Sequence, residues 1–151
     1  GDSLIEIITA SVPKTLVNEG MVLAITSKIV SLSERAIVNR AETLTKQALV
    51  QKHADKYLGE TVHGVHLTLK HGILIASAGI DESNSENNDY ILFPENPYTS
   101  AQKIHTELRK KWGIKNLGIL ITDSHTTALR RGVTGIALSH WGLRATASKV
   151  G

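Results

Sequence analysis

The stretch HLTLKHGILIASAGIDESN, residues 66–84, holds two short apolar runs, a His71-Gly72 step between them and a closing cluster of oxygen-bearing side chains. Over 66–70 polar and apolar residues alternate, which places Val65, Leu67 and Leu69 on one side of a strand. His71-Gly72 is a two-residue hairpin signal, and 73–80 is apolar. The stretch therefore reads as an antiparallel hairpin that delivers Asp81-Glu82-Ser83-Asn84 at the carboxyl end of its second strand. A hairpin amid alternating helices and strands excludes a purely parallel sheet. It points to an α/β (α+β) class: a mixed sheet with an antiparallel hairpin and flanking helices.

Two further strand ends share this character. The apolar run 21–26, expected to be buried on both faces, passes into Ser27-Lys28. The run 117–122, the last clear strand, passes into Asp123-Ser124-His125. Ligands of open α/β sheets bind outside the carboxyl ends of strands, where loops carry the chemistry. Three such ends in 151 residues point to one shared site for a metal and a phosphorylated ligand.

The remaining elements are ordinary. Ser3 and Glu6 form a capping box that starts a helix. A short strand is expected at 36–38, and a polar loop at 85–89. The segment 41–58 reads as a helix with Leu44, Ala48, Val50 and Ala54 near one side and Gly59 as its stop. Asn96-Pro97 opens another helix, which carries Ala101, Ile104, Leu108 and Trp112 on one face and ends at Gly113.

Composition narrows the classes. Apolar residues make up 41% and charged residues 21% of the chain, as in globular domains, and no run approaches the ~18 apolar residues of a membrane helix. There is no cysteine, hence no thiolate site or disulfide, which fits a cytoplasmic setting. The net charge of +3 is spread along the chain. Its densest run, Arg109-Lys110-Lys111, complements a helix C-terminus, so nucleic acid is not the expected partner. The chain opens on Gly1 and its one methionine is Met21, so flanking segments are expected outside it.

Each cluster has two readings. Asp81 with Asn84 suits a hard divalent cation and a nucleotide, or an Asx-type turn. Asp123-Ser124 suits a metal beside phosphates, or a helix N-cap. Ser27-Lys28 suits a phosphate, or a solvated junction. Arg130-Arg131-Gly132 suits a carboxylate or phosphate, or an exposed turn. His63, His66 and His71 do not form a zinc cluster in a strand, because His66 differs in parity from the other two and those lie about 26 Å apart. Neither a P-loop nor a Rossmann glycine motif is present.

Taken in order, ITSKIVS (25–31), His71-Gly72, AGIDESN (78–84), ITDS (121–124) and Arg130-x-Gly132 resemble the γ-glutamyl ligase family that adds glutamate to the precursor of the deazaflavin coenzyme F420. The segments DSHTT (123–127), LRRGVTGI (129–136) and His140-Trp-Gly142 are closer to a bacterial branch of folate-metabolism γ-glutamate ligases. The resemblance implies that Asp81 and Asp123 bind a divalent metal, Mg2+ or Mn2+, with Ser124 helping to hold a second one. It implies that Ser27 and Asn84 contact GTP, or ATP in its place. Lys28 and Arg130 join them as candidate phosphate or carboxylate contacts. A further phosphate-binding lysine of the family falls on Leu32. The implied activity is nucleotide-dependent amide formation between L-glutamate and a carboxylate of a folate-like or deazaflavin-like cofactor, through an acyl phosphate, in a homodimer. Family contacts before Gly1 and beyond Gly151 make residues 1–151 an expected single but incomplete domain. The rival reading is a non-catalytic module that binds a nucleotide or cofactor on the same fold.

Overall fold

The computed structural model describes residues 3–42, 45–82, 89–127, 129 and 131–150. Its largest structural unit is a three-stranded mixed sheet. Strand β1 (Met21–Thr26) runs parallel to β7 (Leu117–His125), and β7 pairs antiparallel with β8 (Thr134–Trp141). Two smaller antiparallel sheets accompany it among the described residues. One joins β2 (Ile37–Val38) to β6 (Tyr90–Ile91); the other has the order β3 (Lys56–Glu60), β4 (His66–Lys70), β5 (Ile73–Ala76). The mixed α+β class read from the sequence is the one observed.

Among the described residues four α-helices flank these sheets: α1 (Leu4–Ser11), α2 (Ser27–Ser33), α3 (Lys46–His53) and α4 (Pro97–Trp112). Helix α4 has the expected ends. Asn96 caps the amide of Thr99 at 3.0 Å, Pro97 takes the first turn, and Gly113 closes the helix in the left-handed region at φ 69°. Its apolar face meets the main sheet, so that Leu4, Ile25, Val30, Ile104, Leu108, Ile119 and Ile121 form one buried cluster. A second cluster, Leu49, Val50, Ala78, Ile80 and Tyr90, sits under α3.

The hairpin is present. His71 and Gly72 both have positive φ, 51° and 74°, as a type I′ turn requires, and the carboxylate of Asp55 accepts from the His71 amide at 2.5 Å. Its buried face is the reverse of the one expected. Leu67 and Leu69 are half-buried, whereas His66 and Thr68 are buried. Both polar side chains are matched: His66 Nδ1 lies 3.1 Å from the hydroxyl of Tyr57, and Thr68 makes two backbone hydrogen bonds described below. Polar groups with partners enter a core at little cost, so alternation alone chose the wrong face.

Five other expectations change. The segment 41–58 is not one helix: α3 covers Lys46–His53 and Lys56–Glu60 pairs as β3. Gly59 is not a helix stop but lies at a register shift of β3 against β4, with φ 122°. Strand β1 is an edge strand with Val22, Ala24 and Thr26 exposed, not buried on both faces. The run 117–122 is not the last strand, because β8 follows it. Finally, Ser3 holds the N-cap position of α1, but its side chain makes no capping hydrogen bond.

Candidate functional site

The three polar clusters meet because of the parallel register. Pairing runs from Met21 opposite Leu117 to Thr26 opposite Thr122, so the next residues, Ser27 and Asp123, face each other where β1 gives way to α2. The Ser27 hydroxyl donates to Asp123 Oδ2 at 2.6 Å, and the amide of Ser124 donates to Asp123 Oδ1 at 2.6 Å. Strand β7 continues through His125, which removes the helix N-cap reading of Asp123-Ser124. A register shift against β8 between Ile121 and Thr122 lies just before Asp123, a placement typical of bulges beside functional sites.

Asp81 arrives by a different route. The apolar run 73–80 is not a single strand: β5 ends at Ala76, and Ser77, Ala78 and Gly79 all have positive φ, at 51°, 54° and 73°. Left-handed backbone costs a non-glycine residue about 1–2 kcal/mol, so this turn must be held by its surroundings. Beyond it Asp81 bridges Ile91, with Asp81 N donating to Ile91 O at 2.9 Å and Ile91 N to Asp81 O at 2.8 Å. The Asp81 carboxylate pairs with the ammonium of Lys28. Gly79 is required for space as well as for φ, since a Cβ there would lie 2.2 Å from the ring of Phe93.

These residues line two adjoining clefts. One, of about 270 Å³, is walled by Ser27, Lys28, Gly79, Asp81, Asp123 and Ser124 among others. The second, of about 430 Å³, shares Gly79, Asp81, Asp123 and Ser124 and adds Lys46, Glu82, His125 and Thr126. Lys46 and Glu82 were not singled out from the sequence. Lys46 forms an ion pair with Glu82, and Arg40 Nη1 lies 3.8 Å from the same carboxylate. The signal was faint: Glu82 adjoins Asp81, but Lys46 lies inside the segment 41–58 that reads as one long helix, whereas it is the first residue of α3. His125 Nδ1 lies 3.0 Å from Thr134 Oγ1, which orients the ring at the rim.

The donor set fits a hard divalent cation. Two carboxylates and a hydroxyl adjoin a cleft, and Mg2+ sites commonly use one or two carboxylates completed by phosphate and water. Among the described residues no group of three His, Asp or Glu side chains that could hold a metal is present, and Asp81, Asp123 and Ser124 are the oxygen donors shared by the two clefts. Lys28 already places one cation on Asp81. Of the sequence candidates, Ser27, Lys28, Asp81, Asp123 and Ser124 are therefore brought together. Asn84 and Arg130 lie outside the described residues. Leu32 lines a separate pocket with residues of α1 and α4.

Comparison with known proteins follows the same lines. The sequence profile described as F420-0:Gamma-glutamyl ligase matches residues 1–151. Coenzyme F420:L-glutamate ligase of Methanopyrus kandleri is 29% identical over 167 residues, covering all of this chain and 65% of its own length. The protein of that name from Methanosarcina mazei is 39% identical over 105 residues, 70% of this chain and 40% of its own. That from Methanocaldococcus jannaschii is 43% identical over 76 residues, half of this chain and 30% of its own. The chain thus spans no more than 65% of the length of these relatives. No helix among the described residues is long and apolar enough to cross a membrane. With its whole length matched by one profile, the chain belongs to the F420-0:gamma-glutamyl ligase family.

Proposed function

We propose that this chain supplies the nucleotide- and metal-holding clefts of a ligase that joins L-glutamate to a carboxylate of a deazaflavin-like or folate-like cofactor. One observation carries the reading: Ser27 with Asp123 and Lys28 with Asp81, drawn from separate strand ends, border a single pair of clefts in a chain of this family. A carboxylate is too poor an electrophile to meet an amine directly, so it must be activated. The acceptor carboxylate oxygen attacks the γ-phosphorus of GTP or ATP, and the bond to the β-phosphate oxygen breaks, leaving a nucleoside diphosphate. The glutamate amine then attacks the acyl carbon, loses a proton, and expels inorganic phosphate with the C–O electron pair.

In this reading Ser27 and Lys28 hold phosphate oxygens, one by a hydroxyl and one by a point charge. Asp81, Asp123 and Ser124 hold Mg2+ or Mn2+, which when bound neutralises charge on the phosphates. Gly79 lines both clefts. The test is mass spectrometry of products from the full-length protein given glutamate, GTP or ATP, Mg2+ or Mn2+, and each acceptor class in turn. A nucleotide-dependent mass gain of one glutamate supports the reading. The same gain from Asp123→Ala would remove the metal assignment.

The position of Leu32, in a different pocket from the carboxylates, favours a second reading in which the fold binds nucleotide without turnover. Calorimetric nucleotide binding with no amide or diphosphate product, under all acceptors, would select it.

A further inference from the structure

We propose that Thr68 is a positioning residue for the Asp81 carboxylate, acting through the left-handed turn Ser77–Gly79. Thr68 is fully buried in β4, on the hairpin and not in either cleft. Its hydroxyl donates to Ile75 O at 2.6 Å and accepts from the amide of Ala78 at 2.8 Å. The first bond holds the strand just before the turn, and the second holds the central residue of the turn itself, Ala78 at φ 54° and ψ 25°. A backbone run with three successive positive φ values is not self-sustaining, and such outliers persist where the surroundings fix them.

The hydroxyl is suited to that task. A threonine O–H both donates and accepts, so one atom ties the carbonyl on one side of the bend to the amide on the other. Ala78 is fully buried between Thr68 and the cluster of Leu49 and Val50, leaving its amide no water. The turn leads into Ile80, whose amide returns to Ser77 O at 3.0 Å, and then into Asp81. Asp81 is thereby held from two ends, by this turn and by its bridge to Ile91. Its carboxylate direction depends on both.

The inference rests on the reading of Asp81 as a metal ligand. Groups that orient a metal ligand from behind typically change affinity ten- to hundredfold when removed. The experiment titrates Mn2+ into the full-length protein without nucleotide, followed by electron paramagnetic resonance, so that no turnover enters the readout. Thr68→Val keeps the side-chain shape and strand preference but removes both hydrogen bonds, and is expected to weaken Mn2+ about tenfold or more. Thr68→Ser keeps the hydroxyl and should stay within about twofold of the parent, even though loss of the buried methyl lowers its stability. Asp81→Asn is measured alongside.

If Asp81→Asn weakens Mn2+ and Thr68→Val does not, the bridge to Ile91 alone fixes Asp81 and the role of Thr68 is overturned. If Asp81→Asn leaves Mn2+ unchanged, the metal reading falls and this inference falls with it. Should Thr68→Val fail to fold, amide exchange of the parent protein decides. Coupling between turn and ligand is reciprocal, so Mn2+ must slow exchange at the Ala78 amide. Unchanged exchange there overturns the proposal.

Discussion

Ser27 and Asp123, 96 residues apart, are joined by a 2.6 Å hydrogen bond that follows directly from the parallel register of β1 and β7. The same pairing that builds the core of the main sheet sets a hydroxyl against a carboxylate at its carboxyl end. Hydrogen bonds to a charged acceptor contribute about 1.5–3 kcal/mol, so Ser27→Ala is expected to destabilise measurably. Asp123→Asn keeps an acceptor for Ser27 but loses the charge. Its midpoint of chemical unfolding should stay near the parent value, while Mn2+-dependent nucleotide binding falls about a hundredfold or more. Isothermal titration with Mn2+ present checks this, and an unchanged affinity would take Asp123 out of the ligand set.

Lys28 and Asp81 form a partly exposed ion pair, of a kind worth about 0–1 kcal/mol. A divalent ion binding Asp81 has to compete with that ammonium. Lys28→Met is therefore expected to raise Mn2+ affinity in the absence of nucleotide, by up to about fivefold for 1 kcal/mol. The same variant should bind nucleotide about tenfold more weakly, having lost a phosphate contact. Opposite signs in the two titrations are the expected result. Weakening in both would mean that Lys28 supports the fold of the cleft instead of competing within it.

Legibility in the sequence followed the locality of the signal. The ends of α4 and the His71-Gly72 turn were readable because Asn96, Pro97, Gly113 and Gly72 act on their own backbone. The site was readable as three strand ends, but not as a contact list, because the approach of Ser27 to Asp123 depends on register across 96 residues. Leu58-Gly59 imitates a helix end, yet pairing with β4 makes that segment a strand, a tertiary outcome that local preference cannot report. Strand β8 was missed because only Ile136 and Leu138 mark its alternation and Gly135 interrupts it. It is completed by Ser139, buried while donating to Pro97 O at 2.8 Å. Thr68 was invisible as a functional candidate, since in the sequence it is merely the polar member of an alternating pair.

Two glycines with nearly equal φ separate backbone cost from space. Gly20 has φ 81° and nothing within 4 Å of an added Cβ; Gly142 has φ 76°, and a Cβ there would sit 2.1 Å from the carbonyl oxygen of Leu117 and 2.5 Å from His105 Nε2. Gly20→Ala should cost only the left-handed penalty of about 1–2 kcal/mol. Gly142→Ala must move strand backbone or a buried ring, and is expected to cost about 4 kcal/mol or more. Urea unfolding of the two variants side by side measures the difference. Equal losses would show that the segment after β8 yields freely.

Two histidines give the fold a dependence on mild acid. Burial lowers the pKa of His105, with Arg109 adding repulsion against a partly offsetting bond to the Leu117 backbone. Burial also lowers that of His53, reinforced by Lys52 and Lys70. A folded-state value below the unfolded 6.5 means that the unfolded chain binds the proton more readily. The stability these neutral rings allow is fully present above about pH 6.5 and is lost as pH falls through the folded values. Thermal midpoints should therefore hold steady from pH 8 to about 7 and decline towards pH 5, before most carboxylates titrate. His53→Gln should flatten part of that decline. Lys52 and Lys70 act on His53 by charge, as Arg109 does on His105, so added salt should shrink part of each share while the larger part due to burial persists. A midpoint that stays flat from pH 7 to 5 in low salt would contradict both assignments.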